Sequence, residues 1–208
     1  MVLNSSLCLL KTWFFLLQFV LPFYKKVLGY GSTCLQISSG FFLDFKIHSK
    51  NIYPLVFFFQ KHTLCLFDQL VDVVCVDTPQ SKYRFLLVYL LQSVIFNFKI
   101  RVFAKIRESH SILLSLISLF RSVNWVEREV FDFYGIFFFE HSDLRRILSD
   151  YGFLGFPLRK DFPLTGYVDI FFDDTYKKIV YRPLELPQEF RPVDFKWENL
   201  WVSGSDAV

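Results

Sequence analysis

The chain has 208 residues, of which 28 are Phe, 10 Tyr and 4 Trp, and its formal net charge is only +3. This length can bury the core of one domain or two small ones, and a hydrophobic content of 53% excludes an intrinsically disordered chain. A membrane-spanning helix needs about 20 consecutive apolar residues. The longest such run, Trp13–Phe23, contains Gln18 and Pro22, so we predict no transmembrane helix.

The first predicted element is an amphipathic or buried helix over Lys11–Tyr24. No Arg precedes Arg84, which argues against an Arg-rich mitochondrial targeting peptide. Abundant Phe with only two alanines, Ala104 and Ala207, indicates an AT-rich, organelle-like gene. A second helix is predicted within Pro54–Asp72, where apolar residues are too continuous for strand alternation.

Two neighbouring strands are predicted next. Arg84–Leu91 is a continuous apolar run of strand length, and Lys99–Arg107 alternates apolar with mostly basic residues, as in a sheet with one buried face. The connection between them, Gln92–Phe98, contains Asn97 as a turn residue. Apolar residues at helical spacing then predict a helix over Ile112–Val123.

A short helix is predicted to begin at Asn124. This residue and Glu127 have the spacing of an N-cap and its capping-box partner. Arg128 and Asp132 are four residues apart and are predicted to pair on one helix face. Gly135 suits the left-handed conformation that ends a helix.

The last predicted element is a β-hairpin. Its strands are Tyr167–Phe172 and Lys177–Tyr181, separated by turn-forming residues. The tail beyond the hairpin is predicted to be extended, because it contains Pro183, Pro187 and Pro192, and proline blocks the continuation of a helix.

The order of elements predicts an α+β fold: a mostly antiparallel or mixed sheet with flanking helices and an extended Pro-rich C-terminal arm. We divide the chain into an N-terminal helical and strand region (1–63), an α+β core (64–165), and the hairpin with the arm (166–208).

Common metal and nucleotide sites are not predicted. The four cysteines form no CxxC pair, so zinc ribbons and cysteine-ligated iron–sulfur clusters lack their usual spacing. The histidines form no HExxH motif, and the glycines form no phosphate-binding loop.

The segment Glu127–Asp161 is unusually charged, with twelve charged residues. In a catalytic interpretation, Glu127, Glu129 and Asp132 act as general acids or bases and arginines bind an anionic substrate. In a structural interpretation, the charges pair with one another, fix loops or dock another protein. Acids and bases are nearly equal in number and no nucleophile–base pair is evident, so we favour the structural interpretation.

Three motifs in this segment resemble one protein family: Asn124–Ile136 (NWVEREVFDFYGI), Asp143–Phe153 (DLRRILSDYGF) and Pro157–Leu164 (PLRKDFPL). Their order and spacing are similar to the signature of the 30-kilodalton subunit of respiratory complex I, also called NADH dehydrogenase subunit 9. Gln188–Phe195 (QEFRPVDF) resembles that family's C-terminal segment. Two residues depart from the pattern, because Ser142 replaces a usual Pro and Phe156 a common His. We expect Ser142 to cap a helix over Asp143–Leu148 instead.

The resemblance implies a non-redox core subunit in the peripheral arm of complex I, on the matrix side of the mitochondrial inner membrane. The complex uses FMN, iron–sulfur clusters, NADH and ubiquinone, and the resemblance implies that this subunit binds none of them. It implies other complex I subunits as partners, chiefly the 49-kilodalton quinone-module subunit, no nucleic acid, and only indirect membrane association. The implied signature and interface residues are Glu127, Arg128, Glu129, Asp132, Gly135, Arg145, Arg146, Asp150, Arg159, Lys160 and Asp161.

Large apolar side chains in the extended tail are expected to dock on a partner: Phe190, Phe195, Trp197 and Trp201. Two rival functions stay open from the residues alone. An RNA-binding protein would use the basic face of Lys99–Arg107 around Phe103. A stand-alone enzyme would use Glu127, Glu129 and Asp132.

Overall fold

The computed structural model describes residues 34–38, 42–63, 65–186, 188, 190 and 191. Two predictions lie outside these residues: the helix at Lys11–Tyr24 and the tail anchors Phe195, Trp197 and Trp201. The chain divides into two compact units, Met1–Leu164 and Thr165–Val208.

The first unit is built on a five-stranded mixed sheet. Its strands are β1 (Cys34–Ser38), β2 (Phe42–His48), β3 (Gln69–Asp77), β4 (Phe85–Ser93) and β5 (Phe98–Ile106). They lie in the order β1-β2-β5-β4-β3; β2 pairs with β5 in parallel and the other pairs are antiparallel. The predicted N-terminal region (1–63) and the predicted core (64–165) therefore contribute strands to one sheet.

The two strands predicted around Asn97 are confirmed as β4 and β5. The φ angle of Asn97 is 51°, a left-handed conformation that Asn tolerates better than most residues. Alternation places Ile100, Val102 and Ala104 of β5 on the buried face, where each is fully shielded from solvent.

Two helices share a hydrophobic core with that face, α1 (Ile52–Lys61) and α2 (Val123–Tyr134). The helix predicted within Pro54–Asp72 is present as α1, but it ends at Lys61 because the chain then leads into β3. Pro54 is tolerated because it lies in the first helical turn, where backbone N–H groups have no intrahelical acceptor.

The prediction of a helix over Ile112–Val123 is wrong. Ile112–Leu114 forms strand β6, which pairs in parallel with β7 (Phe137–Phe139), the strand that follows α2. Leu116 and Phe120 are both buried, which produces the helical spacing, but the chain around them forms consecutive turns and not a helix.

The second unit contains the predicted hairpin, confirmed as β8 (Val168–Asp173) and β9 (Lys178–Pro183). The Asp173 carboxylate accepts a hydrogen bond of 2.8 Å from the backbone N–H of Thr175, which is the Asx-turn geometry expected of Asp in a tight connection.

The α+β class, with a mixed sheet and flanking helices, is confirmed. Among the described residues, α1 and α2 have 10 and 12 residues, and no helix has the length and apolar character needed to cross a membrane.

Helix α1 offers a matched test of this core. Phe59 is 1% exposed and packs edge-on against the rings of Phe45 and Phe67, whereas Phe57 on the same helix is 46% exposed. We expect Phe59→Ala to lower the free energy of unfolding by about 3–5 kcal/mol, because it leaves a cavity. Phe57→Ala should lower it by less than about 1 kcal/mol. Urea unfolding of the full chain measures both, and equal losses would contradict this assignment of the core.

Candidate functional site

The charged segment is organised around α2, whose ends differ in how well the sequence predicts them. The helix begins at Val123, and Ser122, at the cap position, makes no side-chain cap bond. The predicted cap at Asn124 is therefore wrong, because Asn124 already lies in the first turn, and Glu127 is not its capping-box partner. Gly135 ends the helix as predicted, with a φ angle of 72°.

Glu127 joins α2 to the chain that follows β6. Its side chain is completely buried; it accepts hydrogen bonds from the Ser115 hydroxyl at 2.5 Å and from the Leu116 backbone N–H at 2.9 Å. Burial raises the pKa of Glu127 to about 7, and the two hydrogen bonds offset this rise only in part. A buried acid with a pKa near neutrality resembles a catalytic group, but both its oxygens already have partners within the chain.

His141 lies beside Glu127, with its Nε2 atom 3.9 Å from a carboxylate oxygen. The Nδ1 atom of His141 accepts a hydrogen bond of 3.1 Å from the Asp143 backbone N–H, so the proton of the neutral ring is on Nε2. That N–H donates to the backbone carbonyl of Asn124 at 3.3 Å. Burial lowers the pKa of His141, which favours this neutral form.

Asp132 holds the loop that follows β7. Its buried carboxylate accepts hydrogen bonds from the backbone N–H groups of Ile147, Leu148 and Ser149 at 3.2, 2.8 and 2.9 Å. The Ser149 hydroxyl also donates to it, and the Arg146 guanidinium forms an ion pair with it at 3.0 Å. Burial alone would raise the pKa of Asp132, but the donors from Ser149, Leu148 and Ile147 prevail and lower it to about 2.

The predicted pair between Arg128 and Asp132 is wrong. The Nε atom of Arg128 donates to the backbone carbonyl of Arg145 at 3.3 Å, and its guanidinium lies 5.1 Å from the centre of the Trp125 ring. The loop provides Asp132 with several fixed backbone donors, which compete better than a flexible neighbour on the same helix.

Arg146 and Arg159 lie against the same ring, that of Phe156. Their guanidinium carbons are 5.0 and 4.5 Å from its centre. Arg159 also donates to the carbonyl of Tyr134 at 2.8 Å, near the end of α2. A Cβ atom at Gly135 would lie 2.5 Å from the Phe156 ring, so a larger residue there would have to displace this ring besides adopting a strained φ.

A second charged network lies at the end of β3 and was not predicted. Arg84 forms ion pairs with Asp77 at 3.0 Å, with Glu108 at 2.7 Å and with Asp161 at 2.9 Å. Asp77 also accepts a hydrogen bond of 2.8 Å from the Lys160 backbone N–H. One signal was present in the sequence: Asp77 continues the buried phase of Val73 and Cys75 along β3, and a charge there needs a partner.

The other predicted site residues are exposed: Glu129, Arg145, Asp150, Lys160 and Asp161. Arg145 pairs with Asp143 at 3.1 Å on the surface, and the Asp150 carboxylate accepts from the next backbone N–H. The helix that Ser142 was predicted to cap is absent, because the backbone N–H groups of that stretch bond to Asp132 instead.

The arrangement is that of a structural clamp. The two buried acids of α2 accept hydrogen bonds from backbone groups of other segments, and the arginines pair with carboxylates or cover aromatic rings. Among the described residues, no group of three His, Cys, Asp or Glu side chains is placed to hold a metal ion. The geometry favours the structural interpretation of the charged segment over acid–base catalysis.

Comparison with known proteins agrees with the sequence motifs. A family model described as the 30-kilodalton subunit of the respiratory-chain NADH dehydrogenase matches residues 45–168. The chain belongs to this family. NADH-ubiquinone oxidoreductase subunit 9 of Acanthamoeba castellanii is 51% identical to it over 156 residues, which cover 74% of this chain and 78% of that protein. The protein of the same name from Reclinomonas americana is 45% identical over 163 residues, covering 77% and 79%. A bacterial relative, an NADH-quinone oxidoreductase subunit of Parvibaculum lavamentivorans, is 46% identical over 159 residues, covering 76% and 79%.

Solved structures show the same fold. The trypsin-resistant fragment (1–134) of Nqo5 has a TM-score of 0.51 and 24% identity, covering 62% of this chain and 98% of the fragment. A chain of the archaeal membrane-bound sulfane sulfur reductase has a TM-score of 0.59 and 20% identity, covering 71% of this chain and 85% of that one.

As a member of the 30-kilodalton family, the protein is a core subunit of the peripheral arm of NADH:ubiquinone oxidoreductase, a mitochondrial respiratory complex.

We expect Asp132→Asn to lower the free energy of unfolding of this subunit by about 3 kcal/mol, because an amide replaces a charged acceptor of several hydrogen bonds. The pKa of Asp132 is lowered from 3.8 to about 2 on folding. Its contribution is therefore complete above about pH 4 and is lost as pH falls towards 2. Urea unfolding between these pH values should show a weaker acid dependence for the variant, while Asp150→Asn at an exposed position should match the parent.

Glu127 should give the opposite pH dependence. Because its pKa rises from 4.5 to about 7 on folding, the neutral form favours the folded state, and stability falls by about 3 kcal/mol as pH rises through that interval. We expect Glu127→Gln to remove this fall, so the stability of the variant relative to the parent should be higher at pH 8 than at pH 4.5. Thermal unfolding from pH 4.5 to 8 measures it, with the exposed Glu129→Gln as control. A parallel decline in Glu127→Gln and parent would contradict the assignment.

Proposed function

We propose that this subunit is a scaffold of the quinone-reducing module: it binds no redox cofactor of its own and docks the 49-kilodalton subunit on the matrix side of the inner membrane. It then reaches the membrane only through the complex. The clamp around α2 supports this proposal, because Glu127 and Asp132 use their hydrogen-bonding capacity on the chain itself. The enzyme alternative needs at least one of them free to exchange protons with a substrate.

The described cysteines also support a subunit without a cluster of its own. The common iron–sulfur clusters are held by four Cys thiolates. Cys65 and Cys75 are both buried, and in the part of the chain that the structure describes no group of three His, Cys, Asp or Glu side chains is placed to hold a metal ion.

The hairpin β8–β9 carries the docking part of the proposal. Register places apolar side chains opposite one another on a single face: Val168, Ile170, Phe172, Ile179, Tyr181 and Pro183. Phe172 and Ile179 on this face are 57% and 63% exposed. The other face carries a charged pair, Asp169 and Arg182, joined at 2.9 Å. Because a two-stranded hairpin is marginally stable alone, this apolar face needs a partner surface.

Membership of the complex is tested by extracting mitochondria with a mild detergent and separating the extract on a native gel. Mass spectrometry should find this chain in the band with NADH dehydrogenase activity. Its absence from that band, with the chain present elsewhere on the gel, would refute the proposal.

Adjacent phenylalanines of β8 provide a matched test of docking, because Phe172 lies on the apolar face and Phe171 on the charged face beneath Arg182. We expect Phe172→Asp to reduce co-purification of the 49-kilodalton subunit with the tagged full chain at least tenfold, since it buries a charge in the interface. Phe171→Asp introduces the same side chain on the other face and should reduce it less than threefold. Equal losses would show that the hairpin acts only through its own stability.

A further inference from the structure

The sheet of the first unit has a second face, opposite the core, that is apolar near β3. Between β3 and β4, Val76 pairs with Leu86 and Val74 with Val88; between β4 and β5, Val88 pairs with Phe103. Leu90 is the next residue of β4 on the same face. Val74 and Val76 are 49% and 42% exposed, and the other members are half-buried. These six residues form the open-face patch: Val74, Val76, Leu86, Val88, Leu90 and Phe103.

Strand β4 is apolar on both of its faces. Phe85, Leu87, Tyr89 and Leu91 are completely buried in the core, while Leu86, Val88 and Leu90, which alternate with them, belong to the open-face patch. Antiparallel strands with one solvated face normally alternate apolar with polar residues, whereas apolar residues on both faces are typical of strands that are covered twice. Both α1 and α2 contribute to the core on the opposite face.

Basic residues border the patch on the side of β5 and β2. Lys99 and Lys105 are exposed on β5, and Lys46 is exposed opposite Phe103 on β2. Arg101, also on this face, is paired with Asp44 at 2.8 Å. Among the described side chains of this face, four are basic (Lys46, Lys99, Arg101 and Lys105) and two are acidic (Asp44 and Asp72), so its charge is positive on balance.

We propose that this open face of the sheet is a docking surface for an acidic amphipathic segment of another subunit of the complex. The apolar side of that segment covers the open-face patch, and its carboxylates meet Lys99 and Lys105. The inference rests on membership of the complex but not on the hairpin or on the 49-kilodalton subunit, so the two docking surfaces succeed or fail separately.

The composition of the face favours a protein over RNA as the occupant. Five of its six apolar members are aliphatic, and single-stranded RNA is recognised chiefly by stacking of bases on aromatic or guanidinium planes. Phe103 offers one ring, and the guanidinium of Arg101 already lies 5.5 Å from its centre. An aliphatic patch with a basic border is instead the form of a hydrophobic interface core with a charged rim.

The test places a photo-crosslinking amino acid at Val74 or Val76 of the full chain within the purified complex, with Lys61 on α1 as the control position. We expect a crosslinked peptide from another subunit, with apolar residues on one side and at least two flanking carboxylates, at a yield at least tenfold above that at Lys61. Crosslinks to RNA, to this chain itself or to a peptide without flanking carboxylates would overturn the proposal, as would a yield equal to the control.

A charge reversal tests the complementarity directly. Lys99→Glu combined with Lys105→Glu should lower the crosslink yield from Val74 about tenfold, while Lys61→Glu leaves it unchanged. A crosslinker at Phe172 in the hairpin should keep its yield in the double variant, which separates loss of this surface from loss of the complex. An undiminished Val74 crosslink would overturn the role of the basic border. If the double variant does not assemble, the peptide captured from Val74 in the parent decides the case.

Discussion

The carboxylate of Asp132 is the interaction on which the loop between β7 and the end of the first unit depends. Residues 140–164 contain no helix or strand, so their backbone N–H groups need acceptors elsewhere. Asp132 provides acceptors for three consecutive N–H groups and for Arg146. Arg146 in turn donates to the carbonyl of Gly155 at 2.8 Å, which fixes the next turn of the loop. A buried charge here replaces the hydrogen bonds that regular secondary structure supplies elsewhere.

The sequence allows prediction of features that depend on neighbours along the chain. The alternation of β5, the turn at Asn97, the helix stop at Gly135 and the hairpin were all predicted, because each follows from local propensity and period. The pairing of Arg128 with Asp132 was also a local inference, yet it is wrong because residues 14 to 17 positions further along supply better donors. The ion pair of Arg84 with Glu108 could not be predicted from local spacing either, since the two residues are 24 positions apart.

The family signature acquires a physical meaning from these contacts. Two of its acids, Glu127 and Asp132, accept hydrogen bonds from the segments before and after α2, and two of its arginines, Arg146 and Arg159, lie against the Phe156 ring. Phe156 stands where His is common, and an aromatic ring without charge suits a position beside two guanidinium groups. The aromatic surplus of the chain is likewise divided, with Phe45, Phe59 and Phe85 in the core and Phe172 on the exposed hairpin face.

The position of Asp132 along the chain also affects how the subunit is made. The N–H donors that stabilise its charge, from Arg146 to Ser149, come later in the sequence than Asp132 itself. In the same way, Asp161 is the partner of Arg84 that comes latest in the sequence. A growing chain emerges from the ribosome with its N-terminal part first. Helix α2 is therefore complete before its acid has partners, and burying that acid alone is costly. Packing of α2 with Asp132 charged therefore requires the loop as far as Ser149, which sets a minimum length of chain for this part of the fold.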